Sequence, residues 1–148
     1  MLVNSAVFGP LDVDNEHIFN MPQGLYGFEE IDNYALITKQ EEDVTLMWYQ
    51  AINQTIPCFV VFNPFEIIDG YEPEMEPEDL RAFGGKTDGL VFLVIAAVPR
   101  DVSKTTVNLK SPIVIDPKNR VAKQIILANK DYPIRFYLSG EDEESAER

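Results

Sequence analysis

Short runs of β-branched and aromatic residues recur along the chain, and Gly, Pro, Asn or Asp flank each run. Such runs are typical of strands, and the residues between them favour tight turns. Helical periodicity is almost absent, so the pattern favours an all-β antiparallel barrel or sandwich over alternating strands and helices. The predicted strands are 34–38, 45–49, 58–62, 90–98, 105–109, 112–115 and 121–127.

Two of the segments refine this prediction. Residues 90–98 are apolar on both alternating faces, which is typical of a central strand covered on both sides. Residues 77–83 predict one short helix, because it starts with Pro77, has acidic residues in its first turn and ends at Gly84 and Gly85.

The length of 148 residues and the hydrophobic content of 45% suit one domain with a core that needs no covalent staples. We expect a compact, barrel-like domain over residues 1–140. Residues 141–148 contain five acidic residues, one basic residue and no large apolar residue. This composition predicts an acidic, disordered tail.

The charge is strongly acidic, with 25 Asp and Glu against 12 Lys and Arg and a net charge of −13. Such a surface repels phosphate and attracts basic proteins, which argues against direct nucleic-acid binding and for a basic protein partner. No basic, apolar leader opens the sequence, and the longest apolar run has nine residues. We therefore expect a cytoplasmic protein with no membrane span.

Four alternating acids, Glu72, Glu74, Glu76 and Glu78, surround Pro73 and Pro77. The favoured interpretation is a solvated sheet edge that discourages pairing with another chain. The alternative is a docking stripe for a basic partner.

Candidate catalytic residues lack the partners that catalysis needs. His17 is the only histidine, and no G-x-S-x-G motif surrounds any serine. Cys58 lies in an apolar strand, where an inert buried thiol is expected. Residues 85–87 read Gly-Lys-Thr, but Leu80 stands where a phosphate-binding loop requires glycine. We predict no enzyme activity and no cofactor.

A calcium loop is also excluded by its spacing. Asp12, Asp14 and Glu16 have the first three ligand positions, but His17 replaces the required glycine and Gln23 replaces the final glutamate. The favoured interpretation is alternating acids on the outer face of a strand. We predict no metal site.

Three blocks of sequence are more specific than composition requires. In the first, residues 22–29, Pro22 and Gly24 suit a tight turn, and Gly27 frees the backbone again. In the second, strand 58–62 ends abruptly before residues 63–65, Asn-Pro-Phe. The third, residues 106–115 with residues 119–127, predicts a long hairpin-like pair of strands with three cationic side chains.

The first two blocks contain aromatic residues that are candidates for an exposed partner-binding surface. If both loops emerge at one end of the barrel, their aromatic residues form an apolar patch with an acidic rim, which suits a helical partner segment. The alternative is that these aromatics plug the core. The candidate partner-binding residues are Pro22, Gly24, Tyr26, Gly27, Phe28, Glu29, Asn63, Pro64, Phe65, Tyr71 and Glu72.

In the order and spacing of these blocks, the chain resembles the bacterial flagellar assembly factor FliW family over residues 1 to about 137. The resemblance rests on the 22–29 turn, on residues 59–65 and on the block from Asn108 through Gln124. Cys58, residues 47–49 and the tail have no counterpart in the family pattern.

The resemblance implies a compact all-β fold and a cytoplasmic, non-catalytic factor with two protein partners. One is newly made flagellin, and the other is CsrA, a small RNA-binding translational repressor. Flagellin on the factor leaves CsrA free to repress flagellin synthesis, and export of flagellin frees the factor to capture CsrA. Two other hypotheses stay open, a small-ligand-binding barrel or barrel enzyme, and an acidic mimic of nucleic acid.

Overall fold

Strands form most of the regular structure in the computed structural model, which describes residues 1–139. Two short α-helices, α1 (Pro64–Ile67) and α2 (Pro77–Ala82), interrupt the strands, as do 3-10 turns at Asn15–His17 and Val102–Lys104. The strands are β1 (Leu2–Ser5), β2 (Gly9–Asp12), β3 (Ile18–Asn20), β4 (Asn33–Glu41), β5 (Val44–Ala51), β6 (Cys58–Phe62), β7 (Val91–Ala97), β8 (Thr106–Val107), β9 (Ile113–Asp116), β10 (Val121–Gln124) and β11 (Phe136–Tyr137).

Seven of these strands close into a barrel, in the order β7-β6-β5-β4-β3-β10-β9 and back to β7. The predicted all-β barrel is confirmed. Every neighbouring pair is antiparallel except β3 and β10, which run parallel and meet at one residue pair, Asn20 with Val121. The Asn20 N–H also donates to the Arg120 carbonyl oxygen at 2.9 Å across this joint.

The predicted strands 34–38, 45–49, 58–62 and 90–98 correspond to β4, β5, β6 and β7. The expectation of one helix needs correction, because α1 accompanies the predicted α2. The Asn63 side chain accepts a hydrogen bond from the Phe65 N–H at 3.0 Å, and Pro64 occupies the first turn. These are two signals of a helix start, and in the sequence the same residues also indicate the end of a strand.

The acids near the N-terminus also differ from expectation. Strand β2 ends at Asp12, and Glu16 lies in the 3-10 turn that follows. Asp12, Asp14 and Glu16 therefore do not alternate on one strand face. The N-terminal hairpin of β1 and β2 packs against the outside of the barrel, where Val3, Val13, Ala35 and Ile52 form a small buried cluster.

Large side chains fill the barrel interior. Tyr34 and Tyr49 stack in parallel planes with ring centroids 4.7 Å apart, and the Tyr49 hydroxyl donates to Met21 Sδ at 3.2 Å. The fully buried residues around them include Leu25, Val61, Leu93, Ile113 and Ile115.

A second apolar cluster covers the outside of β7 and β9. Leu93 points into the barrel cluster, whereas Phe92 and Val94 belong to the outer cluster, so the prediction that this strand is covered on both faces is confirmed. Within residues 1–139, no helix is long and apolar enough to span a membrane. The predicted acidic tail, residues 141–148, lies outside the described residues.

Candidate functional site

The turn between β3 and β4 is built around Gly24. Its N–H donates to the Met21 carbonyl oxygen at 2.9 Å, and its φ of +62° is a conformation that glycine adopts without strain. A Cβ at this position would lie 2.7 Å from the Glu29 Cα and 2.8 Å from the Phe28 carbonyl oxygen. The close approach of the two arms of the turn therefore requires glycine.

The turn divides its side chains between the core and the surface. Leu25 is buried in the barrel cluster, and its carbonyl oxygen accepts a hydrogen bond from the Phe28 N–H at 2.8 Å. Phe28 packs edge-on against Phe59 of β6 with centroids 5.5 Å apart. Tyr26 lies between Leu25 and Phe28 in the sequence, and its side chain is 57% exposed. The turn thus presents one aromatic ring on an anchored base.

Side chains of the third sequence block hold this turn in place. The Tyr26 N–H donates to Gln124 Oε1 at 3.0 Å, and Gln124 Nε2 donates to the Ser111 carbonyl oxygen at 3.3 Å. The N–H of Ser111 in turn donates to Asn108 Oδ1 at 3.0 Å. Residues distant in sequence therefore connect through three hydrogen bonds.

The three blocks meet at one surface groove of about 310 Å³, which we call the Tyr26 groove. Tyr26 and Phe28 come from the first block, Phe59 from the second, and Asn108 and Gln124 from the third. Ile134 and Arg135 also line the groove, but no local signal in the sequence marks them, and only the topology brings them here. The full lining is Leu25, Tyr26, Phe28, Phe59, Ile95, Ala96, Ala97, Thr106, Asn108, Gln124, Ile134 and Arg135.

The aromatics of the second loop lie elsewhere. Phe65 is 49% exposed and packs edge-on against Tyr71 and Phe92, at centroid distances of 5.3 and 6.0 Å. Strands β6 and β7 are antiparallel, so Phe59 lies toward the C-terminal end of β7, whereas Phe65 lies toward its N-terminal end. The structure therefore does not bring the two loops into one patch.

Tyr71 is a core residue of the outer cluster rather than an accessible aromatic. It is 4% exposed, and its hydroxyl donates to the Leu109 carbonyl oxygen at 2.9 Å. Burial raises the pKa of Tyr71, with a smaller contribution from Tyr132. Pro64 is also buried. For these two residues of the second loop, the structure agrees with the alternative interpretation, in which they pack in the core.

The predicted acidic rim is absent from the Tyr26 groove, because no Asp or Glu is among its lining residues. Glu29 instead turns back to its own loop, where Oε2 accepts a hydrogen bond from the Gly27 N–H at 3.1 Å. Glu72 lies beside the other cluster, and its backbone N–H donates to the Tyr132 hydroxyl oxygen at 2.7 Å.

Cys58 is half-buried rather than fully buried, and His17 is exposed. Burial raises the pKa of the Cys58 thiol, against a smaller lowering by a hydrogen bond with Ser5, and a raised pKa keeps the thiol protonated. The ligand atoms of Asp14, Glu16 and His17 lie within 4.8 Å of one another, but all three residues are exposed. We assign no metal to them.

Comparison with known proteins identifies the family to which the barrel and its groove belong. The family model described as FliW protein matches residues 2–138. The chain belongs to the FliW family of flagellar assembly factors. The family resemblance drawn from the three sequence blocks is thereby confirmed.

FliW relatives of known sequence match nearly the whole chain. The flagellar assembly factor FliW of Ruminiclostridium cellulolyticum is 33% identical over 95% of this chain and 96% of its own length. That of Leptospira biflexa is 35% identical over 90% of this chain and 88% of its own length. A crystal structure of the flagellar assembly factor FliW, 28% identical, superimposes with a TM-score of 0.81 over 93% of this chain and 96% of that one.

Proposed function

We propose that this FliW-family chain is a cytoplasmic factor that binds flagellin and, when free, binds and antagonises the translational repressor CsrA. In this partner switch, flagellin and CsrA exclude each other from the factor, so unexported flagellin represses its own synthesis. The chain acts by binding, and the proposal assigns it no catalytic step.

The observation that carries the proposal is the convergence at the Tyr26 groove. The sequence blocks that resemble the family are far apart along the chain, yet Tyr26, Phe59 and Gln124 line one surface. Core packing explains the buried Leu25 and the partly buried Phe59, but not an exposed tyrosine held on a glycine turn by a glutamine side chain. An exposed aromatic on a rigid base is a common anchor of a protein interface.

The net charge of −13 supports antagonism of an RNA-binding partner. A carboxylate about 8 Å from a phosphate, at an effective dielectric constant near 20, costs roughly 2 kcal/mol before salt screening. Two or three such pairs, halved by salt, reach the ~1–3 kcal/mol typical of coupling between two sites. The factor therefore has enough charge to displace RNA from CsrA without occupying the RNA site.

An order-of-addition experiment tests the switch. Labelled leader RNA is first bound to purified CsrA, and the full chain is added. We expect release of the RNA, and rebinding of the RNA after flagellin is added in excess. RNA that stays bound at saturating concentrations of the chain would contradict the proposal, as would a stable complex of all three proteins.

Alanine variants at two candidate positions, with one matched control, test whether the groove binds a partner. Tyr26→Ala is expected to weaken binding of at least one partner by roughly 2 kcal/mol with an unchanged melting temperature, because the ring is exposed. Phe65→Ala tests the second loop in the same way. The control is Val44→Ala, at a comparably exposed apolar side chain on β5. If the control weakens binding as much as Tyr26→Ala does, the groove is not the binding surface.

The alternative of a small ligand inside the barrel finds no support among the described residues. A ligand site needs a cavity with a few convergent polar groups. The interior is instead packed with side chains such as Tyr34, Tyr49, Leu93 and Ile113.

A further inference from the structure

The Tyr26 groove lies where two barrel strands separate. The ladder between β6 and β7 includes Phe62 with Val94 and Val61 with Ile95, and it goes no further. Beyond Ile95, β7 pairs on its other side with β8, through Ala96 with Val107 and Ala97 with Thr106. Phe59 on β6 and Ala97 on β7 are therefore the walls of a fork between strands. An extended chain can lie along strands that separate in this way, as in the addition of a strand to an open sheet edge.

The Tyr26 groove at this fork is mostly apolar and is open to solvent at its rim. Ile134 is 65% exposed and Tyr26 is 57% exposed, and the lining between them includes Phe28, Phe59 and Ile95. Large apolar side chains exposed together at one place mark a surface that binds another molecule.

The groove continues into a second groove of about 400 Å³ that also contains Lys104 and Tyr137. The two grooves share Ala97, Thr106 and Arg135, and no carboxylate lines either one. Among residues 1–139, neither Lys104 nor Arg135 forms a salt bridge. The neighbouring Asp101 feels the charge of Lys104, but its carboxylate accepts hydrogen bonds from Ser103. On a chain of net charge −13, this surface is locally cationic.

We propose that these two grooves bind an extended segment of a protein partner in which apolar side chains alternate with carboxylates. Side chains on one face of an extended segment repeat every second residue, so its apolar side chains enter the fork between Phe28 and Ile134. Its carboxylates reach Arg135, whose guanidinium binds carboxylates with two parallel hydrogen bonds, and Lys104. The inference deepens the proposed function and rests on it, since it takes the chain to act by binding protein.

The test uses the full chain and three fluorescein-labelled nine-residue peptides. The first alternates Val and Phe with Asp, the second replaces every Asp by Lys, and the third contains the residues of the first with the apolar ones in a single run. Long-range attraction by an acidic protein favours the Lys peptide. We nevertheless expect the Asp peptide to bind at least tenfold more tightly than either of the others, with amide shifts in ¹⁵N spectra confined to the turn at Tyr26, β7, β8 and residues near Ile134.

Charge-matched and exposure-matched variants locate the contact. Arg135→Glu is expected to lower the affinity for the Asp peptide at least tenfold. Lys118→Glu, an equal change of charge on an exposed turn, is expected to change this affinity less than twofold. Ile134→Asp is expected to lower the affinity for the Asp peptide at least tenfold, and Val44→Asp is expected to change it less than twofold. Melting curves of all four variants verify that each is folded.

Several outcomes overturn the assignment. They are tighter binding of the Lys peptide, amide shifts on another surface, absence of binding by all three peptides, and self-association of the chain through these residues. Binding that appears only after removal of residues 140–148 assigns the grooves to the chain's own terminal segment and also overturns it. If the Asp peptide fails while flagellin and CsrA still bind, only this inference fails. If neither protein binds, the proposed function fails instead.

Discussion

Replacement of Gly24 by alanine is expected to lower the free energy of unfolding by about 2–4 kcal/mol. A non-glycine residue in the left-handed region costs ~1–2 kcal/mol, and the lower entropy of the unfolded alanine chain offsets ~0.4–1 kcal/mol of this. The new Cβ also meets three backbone atoms of Phe28 and Glu29 at 2.7–2.9 Å. Backbone atoms cannot rotate away, so we add the ~1–3 kcal/mol typical of overpacking.

Gly9 provides the matched control. Its φ of +68° is close to the +62° of Gly24, but a Cβ there would meet no atom within 4 Å. Gly9→Ala therefore keeps the backbone cost and lacks the collision, and we expect a loss of only about 0.5–1.5 kcal/mol.

Urea unfolding of both variants measures the difference directly. For a chain of this size, the loss at Gly24 corresponds to a melting temperature lower by roughly 6–12 °C. Equal losses for Gly24→Ala and Gly9→Ala would refute the reasoning, because they would show that the arms of the turn separate without cost. In that case the turn that carries Tyr26 would not be a rigid base.

Four further predictions follow from burial and charge. Tyr71→Phe removes the hydrogen bond to the Leu109 carbonyl oxygen and should cost about 1–2 kcal/mol in urea unfolding; an unchanged midpoint would contradict this. Burial, with a smaller contribution from Glu30, raises the pKa of Tyr34 from 10.0 to about 12. Between these pH values the unfolded chain releases a proton that the native chain keeps, so the contribution of Tyr34 to stability should fall as pH rises, by about 2 kcal/mol at pH 12; unfolding free energies that stay level above pH 10 would exclude the effect. Raising salt from ~50 to ~500 mM should slow association with CsrA far more than it speeds dissociation, and a salt-independent association rate in stopped flow would rule out steering. Deletion of residues 141–148, whose sequence contains no large apolar residue, should shift the melting temperature by only a few degrees; cooperative loss of the fold would contradict this expectation.

The sequence predicts strand limits best where every side chain of the strand is apolar. Strand β6 has the predicted limits, 58–62, because every residue in it is apolar and prolines flank it. Strand β3 has three residues and β11 has two, and such short segments carry too little pattern to be recognised. Helix α1 was missed because the same Asn63 and Pro64 also signal the end of a strand.

The candidate site was predictable in part. Local turn chemistry identified the segment around Tyr26, since the glycines and Pro22 act through neighbours in sequence. The contribution of Arg135 depends on β8 and β11 lying outside the barrel, which no local pattern specifies. The position of Tyr71 beyond a strand predicts that it is exposed, but it is buried in a cluster that contains Phe92 and Tyr132.

The single residue pair that joins β3 to β10 determines when the barrel can close during synthesis of the chain. Strands β4 and β5 share eight residue pairs and complete their hairpin early in synthesis, but Asn20 finds its partner only after Val121 has been translated. Until about a hundred further residues have emerged from the ribosome, the sheet is an open strip that exposes Phe19 and Tyr34. Domains tend to fold as the chain lengthens from its N-terminus, and an open strip of apolar strands is prone to aggregate. The last quarter of the sequence therefore supplies the strands that close the barrel and protect the earlier strands from aggregation.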